Sequence, residues 1–264
     1  MDLGIKGRVA IVTGGSRGIG RETAREFLEA GVKVMTCSRN GDQLKATCGE
    51  LAKQTGGEIR GIVADMTQPG DQQRLVDETL ATYGTIDILV NNAGTMYSGR
   101  FEELTEEGLQ TQLDTKLFGW MRAIRTVWPI MRDKNWGRIV SLIGGAGKEP
   151  DPYMFGSGMT NSALLNMTKS LSTEFAPHNV LVNAVCPGWV ATDLWKRNAG
   201  GLQKELGVGS EDEARRLASK KNALGRFGKP EELANAIAFL CSERASYITG
   251  VSLNLDGGRL KGLW

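Results

Sequence analysis

Short apolar runs alternate with longer amphipathic segments along this chain, and that rhythm leaves few folds open. The runs are RVAIVT, VKVMTCS, EIRGIVAD, IDILVNN, GRIVSLI, NVLVNAV and VSLNLD. Each has the length and apolar content of a buried strand. The intervening segments predict helices over about 18–30, 41–55, 70–83, 102–133, 153–176 and 230–242. Repeated strand–helix–strand units with apolar strands imply a parallel sheet covered by helices on both faces. No low-complexity or linker-like stretch interrupts the pattern, so residues 1–264 are read as a single α/β domain. Segment 193–229 departs from the rhythm. It is long, charged and spotted with glycine, and it follows a strand end, where such folds carry elements that cover a ligand.

Several function classes are excluded by counts. The net charge is +2 with both signs interspersed, which gives no footprint for nucleic acid or an anionic membrane. No apolar run reaches the length of a membrane span. The first residues enter a strand pattern at once, so no signal segment is expected and the expected location is cytoplasmic. Cys37, Cys48, Cys186 and Cys241 form no CxxC pair and are read as buried or half-buried thiols rather than a zinc site or disulfide framework. His178 is the only histidine, so no histidine-based metal site is expected, and the residue is read as part of a turn between a helix and a strand.

The first strand runs into TGGSRGIG (Thr13–Gly20), with a helix following. Gly14, Gly18 and Gly20 let the backbone turn tightly and bring a helix N-terminus up to a pyrophosphate, whose charge the free N–H groups and the dipole favour. The second strand ends in CSRN, where binders of NAD usually carry an acidic residue for the ribose 2′-hydroxyl. Arg39 stands there instead, and Arg17 lies in the glycine turn. Two guanidinium groups suit a 2′-phosphate, so NADP(H) is expected over NAD(H). The competing reading makes both arginines solvated surface charges.

With TGGSRGIG, NNAG (Asn91–Gly94), Asp65–Met66 after the third strand, and CPGWVAT (Cys186–Thr192), the chain resembles the short-chain dehydrogenase/reductase family from about residue 5 to Gly258. The resemblance implies a Rossmann-type, doubly wound sheet of about seven parallel strands. It also implies, commonly, a homotetramer, or a homodimer, built on the helices near 102–133 and 153–176. By family role Ser16 and Ile19 belong to the cofactor turn, and Asp65 and Met66 border the adenine. Asn92, Ala93 and Gly94 line the cofactor. Pro187, Gly188, Val190 and Thr192 hold its nicotinamide side.

The same resemblance makes the catalytic half unusual. The family relay is Asn, Ser, Tyr and Lys, in which the lysine lowers the pKa of a phenol that ordinarily titrates near 10. Aligned without gaps, the asparagine position falls on Lys116, the serine on Gly144, the tyrosine on Ser157 and the lysine on Asn161. Lysine and asparagine thus look exchanged between two helices expected to face each other. In the competing reading Lys116 reaches solvent and Asn161 is a tolerated polar helix residue. Gly156 and Gly158 together cost about 1–2 kcal/mol against alanine in a helix. They point to room for a ligand or to close packing, for example between subunits. Family members that reduce conjugated C=C bonds, similar to dienoyl-CoA reductases, also place serine at the tyrosine position and take a tyrosine from elsewhere. Tyr153 and Tyr97 are the candidates for that role. Glu149 and Asp151, between prolines, are read as a solvated loop at the cleft mouth.

The expected function is therefore an NADP(H)-dependent oxidoreductase acting on a carbonyl or activated alkene through an altered proton relay. Lys116, Ser157, Asn161 and Tyr153 are its candidate catalytic groups. A non-redox lyase, isomerase or hydratase, or an inactive nucleotide-binding protein, are the alternatives. Trp189, Trp195 and Met154 predict an apolar substrate cleft with 193–229 as its lid.

Overall fold

Seven parallel strands make one sheet in the order β3-β2-β1-β4-β5-β6-β7 in the computed structural model, which describes residues 2–262. The strands are β1 (Val9–Thr13), β2 (Lys33–Ser38), β3 (Ile59–Val63), β4 (Ile88–Asn91), β5 (Gly137–Leu142), β6 (Val180–Pro187) and β7 (Ser252–Leu255). The order reverses direction between β1 and β4, which opens a crevice beyond their carboxyl ends, where doubly wound sheets bind ligands. The parallel sheet expected from the alternation and the Rossmann-type topology implied by the resemblance are both observed. Its central strands β1, β4 and β5 are buried along their whole length because helices cover both faces.

One face is closed by α1 (Gly18–Glu29), α2 (Gly41–Thr55) and α9 (Pro230–Leu240), with Phe27, Leu28, Leu51, Leu233 and Ile237 packed on Ala10, Val12 and Val90. The other is closed by α3 (Pro69–Tyr83), α5 (Gly119–Asp133) and α6 (Phe155–Phe175), which place Leu75, Val127, Met131 and Phe175 against Ile11, Leu89 and Ile139. His178 ends a single 3₁₀ turn between α6 and β6, its ring edge-on to Trp128, in agreement with its reading as a turn residue. Cys37, Cys186 and Cys241 are buried and Cys48 is half-buried.

Two segments differ from the periodicity reading. The helix expected over 102–133 is broken into a 3₁₀ turn at Phe101–Glu103, α4 (Glu106–Gln112), a π-helical stretch at Leu113–Phe118 and α5. An i→i+5 stretch has no apolar period of its own, so it is invisible to a 3.6-residue template. Segment 193–229 is not irregular. It forms α7 (Asp193–Leu206) and α8 (Glu211–Lys220), capped by Thr192 and Ser210. Trp195, Ala199, Leu202, Ala214, Ala218 and Phe227 give it a small apolar core separate from the sheet. Among the described residues no helix is long and apolar enough to cross a membrane.

Candidate active site

The crevice holds two adjoining spaces. A groove of about 220 Å³ runs across the carboxyl ends of β1, β2 and β4 and is lined by Gly14, Ser16, Arg17, Gly18, Ile19, Arg39, Asp65, Met66, Asn92, Ala93, Gly94 and Thr192. Gly14 has φ +73, and a Cβ there would stand 2.9 Å from the Ala93 backbone. A Cβ on Gly20 would meet the Gly14 carbonyl at 2.5 Å. These positions exclude side chains, so the turn before α1 and the β4 end close on each other and leave backbone facing the groove. Asn92 fixes that closure, its Nδ2 donating to the carbonyls of Thr13 and Gly14. Ser16 Oγ is tied to Ser38 Oγ at 3.0 Å. Asp65 caps its own turn through Thr67. The Arg17 and Arg39 side chains have no hydrogen-bonded partner among the described residues and line the groove from just before α1 and just after β2.

The second space, a cavity of about 800 Å³, continues from the groove. Asn92, Gly94 and Lys116 belong to its lining, as do Ser157 and Asn161 of α6. Pro187, Gly188, Val190 and Thr192 after β6 and Leu194 and Trp195 of α7 line it too.

Lys116 is brought in by the π-helical stretch. It is 7% exposed, and its Nζ donates to Asn161 Oδ1 at 2.8 Å. Asn161 itself is 3% exposed. The lysine stem lies on Gly94, where a Cβ would crowd it at 3.3 Å, and the ammonium stands 4.9 Å over the Trp120 ring. Trp120 in turn donates its indole N–H to the Ala93 carbonyl. Loss of water pushes the Lys116 pKa down to about 8, slightly offset by Cys186. The chain thus brings Lys116 and Asn161 together rather than sending either to solvent.

Gly144 belongs to this arrangement. A Cβ at 144 would stand 2.9 Å from Asn161 Nδ2, so the amide occupies space that any side chain at 144 would take. The tight packing anticipated for Gly156 and Gly158 is within the chain: Gly156 lies against the Tyr97 ring and Gly158 against the Ala146 carbonyl.

The hydroxyl-bearing candidates are engaged in other contacts. Ser157 Oγ donates to the Tyr97 carbonyl and accepts from the Tyr97 N–H, both at 3.0 Å, with Gln112 Nε2 at 3.4 Å. Its capacity is used in stapling α6 to the loop after β4. Tyr97 folds its hydroxyl away onto Gly108 and the Thr105 N–H, the latter at 2.7 Å. Tyr153 points its hydroxyl at Gly201 of α7, in a small side pocket, where burial pushes its pKa up. Glu149 and Asp151 are not a free solvated loop. Asp151 caps the Tyr153 N–H, Glu149 accepts from the Lys261 N–H, and both line the cavity.

The residues that the sequence reading missed are Trp120, which positions both Ala93 and Lys116, and the C-terminal segment. Asp256, Arg259, Leu260 and Lys261 return to the cavity wall, with Leu260 resting on Gly145.

Comparison with known proteins agrees with this geometry. Residues 14–259 match the family model described as Enoyl-(Acyl carrier protein) reductase. The 3-oxoacyl-[acyl-carrier-protein] reductase FabG of Aquifex aeolicus (strain VF5) is 35% identical over 98% of this chain and 99% of its own length. NADPH-dependent reductase BacG of Bacillus subtilis (strain 168) is 31% identical over 97% and 99%. L-Sorbose reductase from Gluconobacter frateurii, solved with NADPH and L-sorbose, superposes with a TM-score of 0.93 at 34% identity over 100% of both chains. These likenesses span the glycine turn, the cavity and the returning C-terminal segment together, so the chain belongs to the short-chain dehydrogenase/reductase family.

Proposed function

We propose that this protein is an NADP(H)-dependent reductase of a carbonyl or an activated alkene, in which Lys116 replaces the family's tyrosine as proton donor. The observation that carries the reading is the Lys116 ammonium, buried in the wall of a substrate-sized cavity and held by Asn161. The groove suits the cofactor. Its glycine positions leave no room for side chains where a pyrophosphate approaches backbone N–H groups, and Arg17 and Arg39 are available for a 2′-phosphate. Of the reductases compared above, BacG is NADPH-dependent and L-sorbose reductase was solved with NADPH. Bound in this groove, NADPH supplies a hydride.

The protein supplies the proton and the orientation. Asn161 Oδ1 takes one hydrogen of the Lys116 ammonium and leaves two for a substrate oxygen. Burial makes the ammonium more acidic than in water, near pKa 8, so it is charged at neutral pH yet gives up its proton readily. The Trp120 ring face steadies the charge that burial disfavours. Ser157 positions α6 rather than reacting. Trp189, with Leu194, Trp195, Glu205 and Lys220 of α7 and α8, walls the cavity.

Purified protein should oxidise NADPH with a ketone, diketone or enone from a screening panel. Lys116→Met should lower kcat about 10²- to 10⁴-fold with NADPH affinity unchanged. A wild-type rate in that variant would remove Lys116 from the chemistry. Turnover indifferent to nicotinamide cofactor would instead support a lyase or isomerase. The reductive rate should hold at neutral pH and fall as pH rises through about 8, where Lys116 loses its proton.

Self-association through the α5–α6 region is part of the proposal. Phe101 and Phe155 pack edge to face, and together with Met159 they leave an exposed apolar patch at the start of α6. Sedimentation should show a homodimer or homotetramer.

A further inference from the structure

The mouth of the cavity carries charges of both signs, but they are not equally free. Asp256 accepts from the N–H groups of Gly258 and Leu260. Asp151 caps Tyr153, and Glu149 accepts from Lys261. Only Glu205, among the described carboxylates in the lining, has no hydrogen-bonded partner. The cations are in the opposite condition. Lys220 and Lys221, at the end of α8, make no ion pair or side-chain hydrogen bond among the described residues. The Arg259 guanidinium faces one carboxylate, Asp151 Oδ2, at 3.7 Å, beyond hydrogen-bond length.

Arg259 is also held in place. Its guanidinium lies over the Trp189 ring, 4.8 Å from the centroid. Trp189 is wedged edge-on against Trp195 and parallel to Phe227. The side chain is only 24% exposed. A planar fork of donors stacked on a fixed ring, half out of water and without a close acceptor, is built to take a planar anion in bidentate fashion.

We propose that the substrate of this cavity carries a carboxylate besides its reducible group, and that Arg259 receives it, with Lys220 and Lys221 adding attraction at the mouth. Arg259 thereby sets specificity and takes no part in proton transfer. The proposal rests on the reading of the cavity as the substrate site, and binding tests it separately from turnover.

The probes are 4-oxopentanoate, 5-oxohexanoate and 6-oxoheptanoate, each beside its methyl ester, titrated into protein saturated with NADP⁺. The readout is the tryptophan emission that Trp189 contributes directly beneath Arg259. At least one acid should bind about tenfold more tightly than its ester. Arg259→Gln should bring acid and ester within about twofold of each other while leaving NADP⁺ affinity and ester affinity as they were. Asp151→Asn, which removes the competing carboxylate, should strengthen acid binding. Equal binding of acid and ester by the natural protein, absence of acid binding at every chain length, or an acid preference that survives Arg259→Gln would each overturn the proposal. So would Asp151→Asn weakening acid binding as much as Arg259→Gln does, because the pair would then be a latch for the C-terminal segment. Acid-selective binding with no NADPH oxidation would leave this inference standing and retire the reductase reading.

Discussion

The nucleotide groove and the catalytic cavity sit on the same crevice and have been built by different rules. The groove depends on backbone: Gly14 and Gly20 are there because no side chain fits, and Asn92 locks the turn to β4 through backbone carbonyls. The cavity depends on side chains, and in the proposed reading those at the four family relay positions have changed as a set. Asn161 fits because residue 144 is glycine, and Lys116 has an acceptor because residue 161 is asparagine. A backbone-built site tolerates almost no substitution, whereas a side-chain site can change when its members change together.

That contrast is tested most severely by reversing one member alone. Gly144→Ser installs the residue that the proposed alignment gives the family there, yet its Cβ would stand 2.9 Å from Asn161 Nδ2 and force the amide to turn. Lys116 then loses its acceptor. Turnover should fall about 10²-fold, as expected when a reacting group is displaced by about 1 Å. The combined reversal of Lys116→Asn, Gly144→Ser, Ser157→Tyr and Asn161→Lys should be more active than the product of the single effects allows. Strict additivity across the four variants would show that the changes are independent and the compensation illusory.

The buried ammonium gives a second test, on stability. In the unfolded chain Lys116 titrates near 10.4, and in the folded protein near 8. Between those values the unfolded state binds the extra proton, so folding stability gains about 1.4 kcal/mol per pH unit from this group, or about 3 kcal/mol across the window. Below pH 8 both states are protonated and the gain is absent. Urea midpoints of natural protein and Lys116→Met, compared from pH 7 to 10, should diverge in favour of the natural protein as pH rises. A constant difference would mean that Lys116 is solvated.

On the groove side, Arg17→Gln with Arg39→Gln should cut the preference for NADPH over NADH by about tenfold or more, by removing charge-assisted contacts to the 2′-phosphate. Calorimetric titration of both cofactors reads this directly. An unchanged ratio would return both arginines to the solvated surface.

How much of this was legible in the sequence follows the same division. The groove was readable because glycine turns and strand ends are local: TGGSRGIG, NNAG and CPGWVAT each declare their position by contiguous residues. Lys116 and Asn161 were readable as candidate residues, but their contact was not. It depends on the π-helical turn at Leu113–Phe118, which has no apolar period. The directions of Tyr97 and Tyr153 were hidden because the glycines that receive their hydroxyls, Gly108 and Gly201, lie 11 and 48 residues away in the chain. Arg259 was missed for the same reason. Nothing near it in sequence shows that it meets Trp189 and Asp151.

The smallest expected effect separates holding from reacting within the cavity. Ser157 Oγ satisfies both the N–H and the carbonyl of Tyr97 while standing, in the proposed alignment, at the position where the family has its phenol. Ser157→Ala leaves a partly buried backbone N–H without its acceptor, which costs about 1–3 kcal/mol of stability. The loop that carries Gly94 toward Lys116 should loosen only slightly, because Asn92 and Trp120 hold it independently. Thermal unfolding should therefore register the substitution clearly, while kcat measured well below the melting transition stays within about threefold of the natural value. A drop as large as that of Lys116→Met would reverse the assignment. It would make the serine hydroxyl part of the proton path and leave the lysine as the group that supports it.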